Sequence, residues 1–289
     1  MRISGRTRGL LLGGVGLTLA FIYIPLLIIG LYAFSSGTTL EWPPPGFTFE
    51  WFEKAFDNPG ARDAFWTSIK VALIATAVAI ILGTLASLAV VRHRFFGRET
   101  ISFLVILPIA LPGIVTGIAL NSTFSQVFGI DLSLFTVVVG HATFCIVVVY
   151  NNAVARLRRS SASFEEASAD LGATPWYTFR RVTLPNMRTA LIAGALLAFA
   201  LSFDEIIVTT FTIAAGEQTL PIWFFTNFAR PANLPIVNAV AALVIVFSMI
   251  PVYIAHRLSS EETVGAAGGR GAAKDTTGTT VAAEATAVP

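Results

Sequence analysis

The chain has 289 residues, of which 55% are hydrophobic and only 12% charged, and its mean hydropathy is +0.74. That balance excludes a soluble globular domain and points to an integral membrane protein, all-α by the length of its apolar runs. The net charge of +2 gives no reason to expect a nucleic-acid partner, and a single cysteine, Cys145, excludes an intrachain disulfide.

Residues 1–9 carry Arg2, Arg6 and Arg8 and form a short polar N-terminus. The apolar run from Leu10 to about Phe34 is too long for a signal-peptide core of about 7–15 residues and reaches the roughly 20 that cross a bilayer. It reads as a retained first span. In the loop 35–65, Trp42-Pro43-Pro44-Pro45 is stiff and extended. Phe49, Phe52 and Phe56 then share one helical face, as a short helix at the membrane surface or as a cap packed on the span ends.

A second span runs from about Trp66 to Val91, and a third from Ile101 to about Phe124. Pro108 and Pro112-Gly113 interrupt the third, which predicts a buried, bent helix whose freed backbone groups are satisfied by neighbours. Asn121 and Ser122 near its outer end are expected to cap the helix in preference to facing a pathway. The fourth span, about Leu132 to Val154, holds His141 and Cys145 one turn apart. Two such ligands are too few for a metal, so a buried histidine bonded to a neighbouring helix is expected. The fifth span is placed at about Ala190 to Ile213 and the sixth at about Ile236 to Ala255. In the fifth, Gly194, Ala198 and Ser202 form a smooth stripe for close helix packing. The whole span region covers 10–258, and the Gly-, Ala- and Thr-rich residues 259–289 have the composition of a disordered tail.

Arginines collect in the N-terminus, after the second and fourth spans and at Arg257, whereas acids dominate the opposite loops. The positive-inside rule then predicts a multi-pass protein of the plasma membrane with both termini cytoplasmic. The same rule makes the loop 155–189, with Arg156, Arg158 and Arg159, cytoplasmic.

That loop is built to fold. Ser163, Glu165 and Glu166 read as the start of a helix, with acids where the dipole favours them. Gly172 fits its stop, and Thr174-Pro175 caps and opens a second helix. Trp176, Phe179 and Val182 would line one face beside Arg180 and Arg181, giving an exposed knob with an apolar edge. Such a knob needs a partner's groove.

Glu166-Ala167-Ser168, then Gly172, then Val182-Thr183-Leu184-Pro185 resembles the EAA loop of binding-protein-dependent ABC transporter permeases. That pattern is Glu-Ala-Ala, three residues, Gly, nine residues, Ile, one residue, Leu-Pro; Ser168 and Val182 depart conservatively. The resemblance implies a six-span bundle of the ABC importer permease type in which the knob's first helix docks in an ATPase groove. It assigns that coupling role to Glu165, Glu166, Ala167, Ser168, Asp170, Leu171, Gly172, Ala173, Leu184 and Pro185. It also implies an ATP-binding cassette ATPase dimer, a second permease subunit in a heterodimer, an external substrate-binding protein and the surrounding membrane lipid. No Walker A loop is present, because Lys54, Lys70 and Lys274 follow Glu53, Ile69 and Ala273. ATP and magnesium therefore belong to the partner, and no cofactor or enzymatic activity is expected here.

Asp204 and Glu205 interrupt the fifth span, and each acid costs roughly 2.5–3.5 kcal/mol at a helix centre on insertion scales. They are expected to face the bundle interior or water. The run Ser202-Phe203-Asp204-Glu205 followed by apolar residues and Thr209 resembles polyamine (spermidine/putrescine) permeases of the PotC type. Asp204, Glu205, Phe203, Thr209 and Trp223 are the candidate pathway residues. The alternatives are an ABC permease for a phosphonate, iron or an opine, and an ion-coupled secondary transporter, which leaves the knob unexplained.

Overall fold

The computed structural model describes residues 4–250 and 253. Arg2, Arg257, the end of the sixth span and the tail 259–289 lie outside the described residues. Among those described, helices dominate, and the sole sheet-like pairing is an isolated bridge between Ser35 and Phe47. The first compact unit ends at Phe247; the described residues of the second, 248–250 and 253, are helical.

Twelve helices follow one another along the described residues. They are α1 (Gly5–Ala33), α2 (Glu50–Asp57), α3 (Pro59–Arg92), α4 (Arg98–Ala110), α5 (Gly113–Ser122), α6 (Leu134–Arg159), α7 (Ser163–Asp170), α8 (Pro175–Thr178), α9 (Leu184–Phe203), α10 (Ile207–Thr212) and α11 (Leu220–Phe228), followed by α12 (Pro231–Ile250). Among the described residues five helical stretches are long and apolar enough to cross a membrane, or six if the bent pair α4–α5 forms one span.

The centre of the bundle is the packing of α3, α6 and α9. It is built from small residues: Ala75 and Ala79 of α3 meet Cys145, Val149 and Ala153 of α6 and Ala198 of α9, all buried. Small side chains let helix backbones approach where the hydrophobic effect gives no preference between protein and lipid. The smooth stripe on α9 does this: Gly194, Ala198 and Ser202 are all buried. A Cβ at Gly194 would lie 3.3 Å from the Val149 Cα. α1 is the opposite case. None of its apolar window is buried in this chain.

The loop 35–65 resolves into a cap. The Trp51 indole donates to the Ser35 carbonyl (2.8 Å), and Phe52 stacks near Phe34 with ring centroids 4.8 Å apart. Phe49 and Phe56 stay exposed, at 76% and 66%, so the three phenylalanines do not share one buried face. Phe49 precedes the helix in place of lying on it.

The third span is bent where its prolines predict but is not buried in this chain, since α4 has no buried residue and α5 only Gly117; the fifth departs from the expected single helix. The third is two helices meeting at 105°, with the break at Leu111-Pro112. Pro112 removes a backbone donor and drives Leu111 to an extended ψ of 142°. The fifth stops at Phe203 and restarts at Ile207. Asn121 does not cap its own helix; its amide donates to the Phe211 carbonyl of α10 at 2.6 Å.

Candidate functional site

The knob begins where α6 ends at Arg159. α7 carries Glu165 and Glu166 in its first turn and no buried residue. It ends at Asp170 with Leu171 as its C-cap, and Gly172 takes a φ of +80°, a left-handed conformation that glycine adopts without steric cost. The Gly172 N–H bonds the Ala169 carbonyl (2.8 Å) and the Ala173 N–H bonds Ser168 (3.1 Å), satisfying carbonyls the helix end leaves free. The Thr174 hydroxyl then accepts from the Tyr177 N–H, with Pro175 in the first turn.

The second helix of the knob is not separate from the fifth span. α8 lasts one turn, a π-helical turn covers Phe179–Thr183, and α9 follows without interruption, giving one stretch Pro175–Phe203. The wider π turn shifts the register. Trp176 is 67% exposed and lies beside Phe179, with ring centroids 5.6 Å apart, while Phe179 and Val182 are half-buried. The knob also exposes Phe164, Leu171 and Tyr177. A hydrogen bond of 2.9 Å between Ser168 and Thr178 joins its two helices.

The two adjacent glutamates have different surroundings. Glu166 is exposed, as are Ala167, Asp170, Leu171 and Gly172, with Ala173 half-buried and Leu184 and Pro185 opening α9. Glu165 turns back into the bundle. Its Oε2 lies 2.9 Å from the Arg92 Nε at the end of α3, and its Oε1 accepts from the Thr183 hydroxyl at 3.0 Å. It is the knob's anchor to α3 and to the base of α9. Arg156 adds a second tie, donating to the Asn186 carbonyl at 2.7 Å.

The acidic segment is a break in a span. The Asp204 N–H makes the last α9 bond, to Ala200 (3.2 Å), and Asp204, Glu205 and Ile206 are not helical. Nearby side chains satisfy the groups freed there. The Glu205 Oε1 accepts from the Val208 N–H at 2.8 Å, capping α10, and the Thr209 hydroxyl donates to the Glu205 carbonyl at 2.9 Å. Side chains that bond nearby backbone in this way offer an alternative to the helical ladder.

The five candidate pathway residues separate accordingly. Asp204 is exposed, and Phe203 and Glu205 are half-buried, Phe203 lying edge-on to Phe65 at 6.2 Å. Thr209 and Trp223 are in this chain's interior, at 0% and 4% exposure. They support the break's surroundings and present no surface to a solute. The sequence reading left His141 and Ser202 out of the site, although they hydrogen-bond to each other beside the break. The signal available was a histidine in mid-span. Among the described residues no three His, Cys, Asp or Glu side chains cluster as metal ligands.

A family model described as "Binding-protein-dependent transport system inner membrane component" matches residues 79–261, a range that includes both knob and break. The chain is 34% identical over 232 residues to the putrescine transport system permease protein PotI of Escherichia coli K12, covering 78% of this chain and 82% of that one. It is 30% identical over 250 residues to the spermidine/putrescine transport system permease protein PotC of the same strain, covering 86% and 93%. Among solved structures, a bacterial ABC transporter involved in importing the acidic polysaccharide alginate superposes with a TM-score of 0.67 at 20% identity, covering 90% of this chain and 99% of that one. That likeness speaks to fold alone. The family removes the ion-coupled secondary transporter from consideration, because its members work with a binding protein. The chain is a multi-pass membrane protein and a transport subunit that leaves ATP hydrolysis to a separate ATPase, and it belongs to the inner membrane components of binding-protein-dependent ABC transport systems.

Proposed function

We propose that this permease imports polyamines, with Asp204 as the pathway carboxylate that meets a substrate ammonium. The observation that carries the reading is that Asp204 is exposed at the break within a span, in a chain whose relatives PotI and PotC are putrescine and spermidine/putrescine permeases. At an effective dielectric of about 20, unit charges 4 Å apart attract by about 4 kcal/mol. Each 1.4 kcal/mol is tenfold in affinity. An anionic solute would be repelled by the same carboxylate.

The exposed tip of the knob, with Glu166 and Asp170 beside Leu171 and Trp176, is the surface for one subunit of an ATPase dimer that holds ATP and magnesium. The arginine-bearing end of the bundle is cytoplasmic, an external binding protein delivers cargo to the other end, and a second, different permease completes the pathway. The bare surface of α1 supplies apolar area for lipid and for that second permease.

The test is uptake by the complete transporter in liposomes. Asp204→Asn should lower labelled putrescine and spermidine uptake at least tenfold while complex yield stays within twofold. Wild-type uptake by Asp204→Asn sinks the cargo assignment, as does a complex that moves 2-aminoethylphosphonate and ignores diamines.

A further inference from the structure

The polar chain beside the break has a direction that a merely buried histidine would not need. His141 on α6 is fully buried. Its Nδ1 lies 2.7 Å from the Ser202 hydroxyl, near the end of α9. Its Nε2 lies 2.8 Å from the Thr209 hydroxyl, on α10. One imidazole therefore bonds both sides of the interruption at Asp204–Ile206. The Thr209 proton goes to the Glu205 carbonyl, so Thr209 must accept from Nε2–H. A neutral ring then accepts at Nδ1 from Ser202. The chain runs Ser202 to His141 to Thr209 to the Glu205 carbonyl, and it terminates on the backbone of the break itself.

The rest of α6 reinforces this hold. The Thr136 hydroxyl donates to the Thr212 carbonyl at 2.6 Å. At Gly140, one residue before the histidine, a Cβ would come within 3.1 Å of Val208. The last turn of α10 is thus fixed by Thr136 and its first by His141, while α9 reaches the same ring through Ser202.

We propose that His141 is a positioning residue for Asp204: by bonding α9 and α10 across their interruption it sets the conformation of the Asp204–Ile206 segment, and so the direction in which the Asp204 carboxylate is presented. His141 touches no substrate. The uptake part of the proposal rests on the cargo reading above; the conformational part does not.

The experiment uses the whole complex with Cys145→Ser, whose hydroxyl can keep the bond that the thiol makes to the Ala198 carbonyl, and with Ile206→Cys as a thiol reporter in the break. Maleimide labelling should speed up at least threefold on adding His141→Phe, which removes both bonds, or Thr209→Val, which removes the α10 side at constant shape. Without the reporter, each should lower polyamine uptake at least fivefold with complex yield within twofold. His141→Phe should add less than twofold to the loss caused by Asp204→Asn, because a misdirected carboxylate and a neutralised one fail alike. If His141→Phe does not assemble, Thr209→Val carries the test. Unchanged labelling overturns the proposal, as do uptake losses that multiply between His141→Phe and Asp204→Asn. Normal uptake by Asp204→Asn alone, with labelling still raised by Thr209→Val, removes the cargo reading and leaves the positioning role standing.

Discussion

The two broken spans reach similar results by different means. Between α4 and α5 the interruption is covalent. Pro112 has no N–H to donate, and its ring excludes helical backbone at Leu111. No side chain caps α5, and α4 buries nothing in this chain. Between α9 and α10 there is neither proline nor glycine, and the interruption is held by Glu205, Thr209, Ser202 and His141. A break made by one ring is cheap and local. A break held by four side chains, from three helices and the interrupted segment itself, needs the fold in place first, and it puts an acid on the surface of the span. The half-helices that follow the two breaks pack on each other. Gly113 lies under Ile207 and Gly117 under Phe211, and Asn121 bonds the Phe211 carbonyl.

The largest expected effect comes from separating those half-helices. A Cβ at Gly117 would lie 2.7 Å from the Phe211 ring and 3.2 Å from the Phe211 Cβ, so Gly117→Leu must push α10 off α5. Overpacking of this kind costs about 1–3 kcal/mol. It would also strain the Asn121 bond. Recovered complex should fall at least fivefold, and adding Phe211→Ala should restore much of it. Full yield from Gly117→Leu alone would show that the two half-helices are independent.

The same contrast explains what was legible in the sequence. The spans follow from the length of apolar runs, and the first break from Pro112, since both are properties of a residue and its immediate neighbours. The knob's turn was legible for that reason: Gly172 and Thr174-Pro175 act within four residues of themselves. The tie from Glu165 to the bundle was not legible, because its partner, Arg92, lies on another helix. The break at Asp204 was hidden because Ser-Phe-Asp-Glu-Ile-Ile has no helix-breaking residue, and its stabilisation arrives through His141 from a different span. Thr209 resembled a pathway residue in sequence order, yet it is buried and bonded to His141 of another span.

A medium effect should separate capping from charge at Glu205. Its Oε1 holds the Val208 N–H, a bond that an amide oxygen can also make. Helix caps contribute about 1 kcal/mol. Glu205→Ala should therefore lower uptake about threefold to fivefold and lower complex thermal stability, while Glu205→Gln stays within twofold of wild type in both. A loss with Glu205→Gln as large as with Asp204→Asn would mean that the second carboxylate meets the cargo directly, and the distinction between the two acids would fail.

The smallest effect is expected at the covalent break itself. Pro112→Ala restores a backbone donor and frees Leu111 to become helical, so the local reason for the bend disappears. Straightening α4 into α5 would nevertheless pull Gly113 and Gly117 away from Ile207 and Phe211, and would break the Asn121 bond to α10. Those contacts should hold α5 where it is. What remains is the unfolded-state term: a proline in compatible geometry stabilises by about 0.4–1 kcal/mol through lost chain freedom. Pro112→Ala should thus lower the thermal midpoint of the purified complex slightly and leave polyamine uptake within twofold of wild type. A tenfold loss of uptake at normal yield would show that the proline ring alone maintains the 105° bend, and that the packing of α5 on α10 follows from the bend instead of securing it.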